Sequence, residues 1–377
     1  MQVWIRRCAL LLLPLGFLAV MVAEPLLSLA FYDGEGAWAE VVADDYMRLR
    51  LGWTVAQAVL TCVLVTALGV PAAWVLARMD FAGRRTVLRL LMLPFVMPTL
   101  VAGMGVLALF GAHGILAAGW QDTPWLLIYG NVFFNLPVLV RSAYQGFVRV
   151  PQARLLSAQS LGADAWRRFV WVEWPVVRAW VAGGACLVFL YCFSGFGLAL
   201  LLGGERFATV EVEIYRLVAY ELDMARASVL VWLVLAATAA AGGLYAYWSK
   251  RVAVDKSVSP LPPRAPVRAW EKWLTATVLA MLVLCCLLPL AAVWLKAAAA
   301  GSSWAVLLEA QTWAAVWNTI RFSAAAVAAA TVLGVLYAAA ARQMAWLRAL
   351  MFLPFMVSPV CIAFGVLLLY PQWTASL

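Results

Sequence analysis

Residues 53–77 read WTVAQAVLTCVLVTALGVPAAWVLA, a run of 25 residues without a charged side chain. A helix that crosses the hydrocarbon core of a bilayer needs roughly 20 apolar residues, so this run is long enough to do so. Similar runs recur along the chain, at about 8–30, 53–77, 87–111, 125–147, 181–203, 227–248, 273–295, 315–340 and 350–370. The sequence therefore predicts an all-α, polytopic membrane protein with about nine transmembrane helices.

The composition supports lipid as the solvent of most of the chain. Hydrophobic residues make up 66% of the 377 positions and charged residues only 12%, and the mean hydropathy is +0.93. A water-soluble domain cannot bury that much apolar surface. The first apolar run leads directly into further runs, so we interpret it as a membrane anchor and not as a cleaved signal peptide.

Basic residues predict the orientation, because loops on the cytoplasmic side carry an excess of arginine and lysine. With the N-terminus in the cytoplasm, 20 of the 27 basic residues flank or lie in inside loops, and most acidic residues lie outside. We therefore predict a multi-pass protein of the bacterial inner membrane with a cytoplasmic N-terminus. The same asymmetry accounts for the net charge of +9, and with no basic soluble domain predicted, we expect no nucleic-acid partner.

The sequence shows no pattern of an enzyme or a cofactor site. All seven cysteines fall inside predicted spans without a CxxC pair, and the single histidine, His113, has no acidic or cysteine cluster beside it. We therefore expect no metal and no cofactor. The GxxxxGK[ST] loop that cradles nucleotide phosphates is also missing from the sequence, so energy from ATP would have to come from another subunit.

An internal repeat follows a proline-rich linker. The tripeptides LPF and GVL of the third span return in the ninth span with an offset of 260 residues, and LGV of the second span returns in the eighth with an offset of 265. Spans seven to nine therefore look like a parallel second copy of spans one to three. The predicted domains are a first helix and outside loop at 1–50, a first membrane-spanning core at 51–249, a cytoplasmic linker at 250–272 and an incomplete second half at 273–377. The second copy stops halfway, which suggests a C-terminal truncation.

The loop between spans four and five is longer than the other inside loops. Its sequence predicts a short helix from about Gln152 to Leu161, with Pro151 near the first turn and Gly162 as its stop. Asp164 is placed to cap the next helix, and Pro175 is expected to interrupt that helix. This segment could dock a cytoplasmic partner, or it could lie on the lipid headgroups.

The loop resembles the "EAA" loop of the type I ABC importer permeases, which inserts into a groove of the ATPase subunit. Ser157 and Ala158 match the two small positions, Gly162 the glycine and Pro175 the terminal proline. Leu156 stands where the family has a glutamate, so one polar contact to the ATPase is in doubt. The resemblance implies three kinds of partner besides the lipid bilayer: a cytoplasmic ABC ATPase dimer, a periplasmic solute-binding protein and a small-molecule solute.

Within that class the chain looks most like the permeases of thiamine importers, whose two six-span halves are fused in one chain. The residues that carry this resemblance are NVFFNLP at 131–137, EIYR at 213–216 and YELDMARA at 220–227. It implies transport of thiamine or its phosphates, with ferric-iron permeases as close relatives. The acidic segment around Glu205–Asp223 would then receive the binding protein, and the pathway candidates are Tyr129, Phe133, Phe134 and Asn135, chosen by location alone.

Two other classes remain as alternatives. The segment DFAGRR at 80–85 resembles part of a loop signature of the major facilitator carriers, but it lacks the leading glycine and the basic residue after Asp80. Proton-coupled carriers also usually hold acidic residues deep in the bundle, and here only Glu24 comes close. A membrane-embedded enzyme would need a charged or nucleophile–base pair within the spans, and none of the predicted spans contains one.

Overall fold

The computed structural model describes residues 12–32, 36–116, 119–121, 123–250, 259–341 and 359–374. Four features predicted above lie wholly or partly outside these residues: the start of the first span, Cys8, the second copy of LPF at 353–355 and the start of the ninth span. The first part of the linker, 251–258, lies outside them as well.

The described chain is helical, with two isolated β-bridges as its only strand-like pairing. The helices are α1 (Leu12–Ala30), α2 (Ala37–Ala43), α3 (Asp45–Arg78), α4 (Arg84–Val96), α5 (Thr99–Phe110), α6 (Pro124–Val148), α7 (Gln152–Ser160), α8 (Ala165–Phe193), α9 (Gly197–Leu202), α10 (Val210–Arg216), α11 (Met224–Lys250), α12 (Ala269–Ala298), α13 (Ala310–Ala341) and α14 (Pro359–Leu369). Seven of them are long and apolar enough to cross a membrane, and the pair α4 and α5 forms an eighth candidate span in the described part of the chain. The all-α polytopic fold is confirmed.

Two predicted spans differ in shape from the expectation. The third is broken, because α4 and α5 meet at an angle of 104°, where Pro98 adopts extended backbone angles before the first turn of α5. A proline lacks the amide hydrogen that a continuous helix would need at this point. The fifth span was placed at 181–203, whereas the structure has one helix from Ala165 to Phe193 and then the separate short helix α9.

The chain divides into two compact units. The larger unit comprises Ala39–Glu213 and Ala236–Leu295, and its centre is formed by α3, α6 and α8, each of which packs against the other two. Gly69 on α3 allows a close approach to α6, since a Cβ at this position would lie 2.9 Å from Cδ2 of Leu139. The first turns of α12 pack on α3, and its middle turn packs on α6.

The smaller unit comprises Met1–Trp38, Ile214–Leu235 and Lys296–Leu377. In it α1 packs against α14, and the indole nitrogen of Trp232 donates a hydrogen bond of 2.7 Å to the carbonyl oxygen of Ala30. The hydroxyl of Tyr370 donates to Oε2 of Glu24 at 3.1 Å. Helix α13 is exposed along most of its length.

Candidate docking site

The segment between α6 and α8 contains the short helix that the sequence predicts. Helix α7 begins after Pro151, whose backbone is extended, and it ends at Ser160, with Leu161 as its C-cap. The amide of Gly162 donates to the carbonyl oxygen of Gln159 and the amide of Ala163 to that of Ala158, each at 3.0 Å. This pair of bonds is the Schellman ending of a helix, which places its glycine in the left-handed region.

Gly162 is required by its backbone conformation and not by lack of space. Its φ is +79°, and a Cβ built on it would meet no atom of the described residues within 4 Å. A side chain in this conformation costs roughly 1–2 kcal/mol. The glycine therefore fixes the angle between α7 and α8.

Asp164 begins the second arm of the loop. Its Oδ1 accepts a hydrogen bond of 2.7 Å from the amide of Arg167, which is the geometry of an N-cap. The guanidinium of Arg168 donates to Oε1 of Gln159 at 3.0 Å and so connects the second arm to α7. The two arms therefore form one folded element.

Pro175 does not interrupt the second arm, contrary to the sequence-based prediction. The helix runs on through residues Phe169–Glu173 as a wider π turn, in which the amide of Trp174 bonds to the carbonyl oxygen of Phe169. Proline has no amide hydrogen to donate, and the wider turn before it leaves room for its ring beside the preceding carbonyl groups. The second arm of the loop and the fifth span are therefore one continuous helix, α8.

The outer surface of the loop is apolar at several positions and basic at others. Leu156, Ser157, Gly162, Asp164 and Pro175 are exposed, and Ala158 is half-buried. Leu161 is 87% exposed and Trp166 is 71% exposed. The exposed basic residues of this segment are Arg154, Arg167 and Arg178. Large exposed apolar side chains among charges are typical of a protein–protein contact.

A buried ion pair anchors the second arm to the bundle, and sequence analysis missed it. Nε of Arg78, at the end of α3, lies 2.7 Å from Oε1 of Glu173, and the two side chains are 6% and 5% exposed. Oε2 of Glu173 accepts a 2.9 Å hydrogen bond from the indole of Trp74, and Arg78 also donates to the carbonyl oxygen of Phe147 at 3.1 Å. In the sequence Arg78 is only one of the basic residues that indicate the cytoplasmic side, because nothing there relates it to an acid 95 positions later.

The four pathway candidates lie together on α6 but in different surroundings. Phe133 and Asn135 are buried, whereas Tyr129 and Phe134 are half-buried. Phe133 belongs to the apolar cluster between α5, α6 and α9, and the hydroxyl of Tyr129 donates to the carbonyl oxygen of Leu284 at 2.8 Å. Packing therefore accounts for Phe133, and a role of the four residues in a pathway stays a prediction.

A row of buried polar groups runs beside these candidates. Oε1 of Gln57 accepts from Nδ2 of Asn131 at 2.7 Å, and Nε2 of Gln57 donates to the carbonyl oxygen of Cys192 at 2.9 Å. Asn135 donates to the carbonyl oxygen of Asn131 and to the sulfur of Cys192. These bonds join α3, α6 and α8 inside the larger unit. Among the described residues no cluster of histidine, cysteine or acidic side chains could hold a metal ion.

Comparison with known families places the fold. Residues 66–254 match the family described as the binding-protein-dependent transport system inner membrane component. A bacterial ABC transporter involved in the import of the acidic polysaccharide alginate has a similar fold, with a TM-score of 0.56 at 15% identity over 67% of this chain and 98% of that chain.

Curated relatives are more similar in sequence. The thiamine transport system permease protein ThiP of Salmonella typhimurium is 32% identical over 302 residues, which cover 77% of this chain and 56% of the relative. The ThiP of Brucella abortus (strain 2308) is 35% identical over 239 residues, 60% of this chain and 44% of the relative. The chain therefore spans about half of the length of the curated relatives that it matches.

Proposed function

The chain belongs to the family of inner membrane components of binding-protein-dependent transport systems, and from this premise we propose that it is the permease subunit of an ATP-binding-cassette importer for thiamine or its phosphates. It resembles the ThiP permeases within the type I importers. In this proposal a separate ATPase subunit supplies the energy, and the chain provides the pathway and not the chemistry.

The observation that carries the proposal is the folded element formed by α7 and the first turns of α8. It is closed by a Schellman glycine and capped by Asp164, and its buried base is the Arg78–Glu173 pair. Its outer residues Leu156 and Leu161 are exposed. A rigid element with exposed apolar side chains is suited to fit a groove of a partner, since little ordering entropy is lost on binding.

The proposed orientation assigns each partner to one side of the membrane. With the N-terminus in the cytoplasm, α7 faces the cytoplasmic ATPase dimer, and the segment Glu205–Asp223 faces the periplasmic binding protein. Glu211 and Glu213 of that segment are buried, whereas Glu205 is exposed and available to a partner. ATP-driven closure of the ATPase dimer would push on α7, and the permease would then alternate between outward and inward access.

The solute assignment rests on the names of the relatives and is tested by uptake. In the source cell we expect uptake of labelled thiamine that requires ATP and continues when the proton gradient is collapsed. Deletion of the gene should abolish this uptake. Unchanged thiamine uptake would contradict the vitamin as the solute, and ferric iron would be the next solute to test. Loss of thiamine uptake on collapse of the proton gradient alone would instead indicate a secondary carrier.

The docking role is tested in the same cells with two glycine variants. Gly162→Leu should abolish uptake while the protein still accumulates in the membrane, because a side chain at φ +79° changes the angle between α7 and α8. Gly243→Leu is the matched control, since Gly243 lies within α11 with a helical backbone, and a Cβ on it would likewise meet no described residue within 4 Å. Full uptake by the Gly162 variant would contradict the docking role.

A further inference from the structure

The part of the linker that the structure describes is bound to the start of α7, the first arm of the docking element. The carbonyl oxygen of Ser259 accepts a hydrogen bond of 3.1 Å from the amide of Gln152, the first residue of α7, and Pro260 pairs with Pro151 as an antiparallel bridge. Helix α7 therefore begins on a backbone contact with the linker.

The same stretch of linker is also bound to the end of α3. The amide of Arg264 donates to the carbonyl oxygen of Arg78 at 3.0 Å, and the amide of Asp80 donates to the carbonyl oxygen of Arg264 at 2.8 Å. These two bonds flank Met79, which forms a parallel bridge with Arg264. Because the side chain of Arg78 holds Glu173, the linker also reaches the second arm of the docking element.

Glu271 closes the linker onto the first turn of α12. Its carboxylate accepts two hydrogen bonds from the guanidinium of Arg264, at 2.5 and 3.2 Å, and it accepts two more from the amides of Val267 and Arg268, at 3.0 and 3.2 Å. The side chain of Glu271 is only 2% exposed, whereas that of Arg264 is 54% exposed. A carboxylate with four donors around it fixes the backbone that supplies them.

A second chain of contacts connects α12 to Glu173. The ring of Trp270, in the first turn of α12, stacks on that of Trp74 with centroids 6.0 Å apart. Trp74 in turn donates to Glu173. Both routes from α12, through Arg264 and through Trp270, therefore end at the buried acid of the docking element.

We propose that residues 259–271 form a strap that moves with the docking element and transmits its displacement to α12, with Arg264 and Glu271 as positioning residues. The proposal rests on the proposed function, because the displacement comes from the ATPase. Helix α12 is the first helix after the linker, so the strap would couple the single described docking element to the second half of the permease.

The test uses the full chain reconstituted in proteoliposomes with its ATPase and solute-binding protein. Arg264→Gln and Glu271→Gln should lower labelled-solute uptake per ATP hydrolysed by about tenfold, while the ATPase still copurifies and the melting temperature stays close to that of the unsubstituted complex. Arg264→Lys should recover part of the loss, since it keeps the charge but not the two-pronged contact. Lys272→Gln, which removes a positive charge from an exposed neighbouring position, is the control and should change nothing.

A crosslink provides a second readout that does not depend on the stability of the variants. Paired residues of an antiparallel bridge lie at a distance that a disulfide can span, so Pro151→Cys with Pro260→Cys can be oxidised in a background in which the seven native cysteines are replaced by alanine. If the strap moves with α7, uptake persists after oxidation.

Either of two results overturns the strap. One is an Arg264→Gln complex whose uptake per ATP is within about twofold of the unsubstituted complex, below the usual range of coupling between sites. The other is a crosslinked complex that loses uptake and regains it with a reductant, because the contact would then have to open in each cycle. Lack of ATP-dependent uptake by the unsubstituted complex would overturn the proposed function itself. Because this complex is measured first, that failure is distinguished from a failure of the strap.

Discussion

The two copies of the repeat share two glycines at matching positions. One pair of glycines makes the same kind of packing contact in both copies, and the other pair does not. Gly105 on α5 and Gly365 on α14 are 260 positions apart, and each lies against the backbone of a proline-containing helix in its own unit. A Cβ on Gly105 would lie 2.7 Å from the carbonyl oxygen of Pro289, and one on Gly365 would overlap that of Pro25. The same tripeptide thus forms the same kind of contact twice.

The second pair of glycines has no such agreement. A Cβ on Gly69 would meet Leu139, Val140 and Leu136 of α6, whereas one on Gly334 would meet no atom of the described chain within 4 Å. Both glycines lie in long apolar helices, α3 and α13. The repeat therefore preserves the helix and its glycine, while the neighbours decide whether the glycine matters for packing.

The largest loss of stability is expected at the two glycines that lie against the main chain of another helix. Gly105→Ala and Gly365→Ala should each lower the free energy of unfolding by about 2 kcal/mol, because a main-chain carbonyl cannot move aside as a side chain can. The measurement is SDS titration of the purified chain in mild-detergent micelles, with Gly243→Ala as the control at an open helical position. If one of the two variants unfolds like the control, the two contacts are not equivalent.

A smaller effect is expected at Gly69. Its closest neighbour would be Cδ2 at the end of the Leu139 side chain, which can change its rotamer. We therefore expect Gly69→Ala to cost about 1 kcal/mol, reduced by the better helix propensity of alanine. In a double-mutant cycle, Leu139→Val should recover part of this cost, since it removes the clashing atom. Additive effects of the two substitutions would show that the clash with Leu139 is not the cause.

The sequence predicted the helices well and their contacts poorly. Spans such as 125–147 and 227–248 lie within three residues of the observed helices α6 and α11, because long apolar runs determine where a chain can cross lipid. Helix α7 and the cap of Asp164 followed from local turn chemistry in the same way.

The features that the sequence missed depend on distant partners. The path of α8 through Pro175 needs the preceding π turn, and the burial of Arg78 needs Glu173. The contacts of Arg264 with Arg78 and Asp80 join residues more than 180 positions apart. Hydrophobic periodicity contains no information on such pairs. A basic residue at the end of a span therefore indicates the cytoplasmic side in the sequence, whether or not it forms an ion pair with a distant residue in the fold.

The smallest effect, and the sharpest test of the comparison, is at Gly334. Since a Cβ there would meet no described residue and the backbone is helical, Gly334→Ala should not destabilise the chain, and the helix propensity of alanine should raise the free energy of unfolding by up to about 1 kcal/mol. The sign is therefore opposite to that expected for Gly69→Ala, although the two glycines occupy matching tripeptides. SDS titration of the two variants side by side measures this difference. Destabilisation by Gly334→Ala of the same size as at Gly69 would mean that α13 packs against a neighbour as closely as α3 packs against α6, and the contrast between the two copies would disappear.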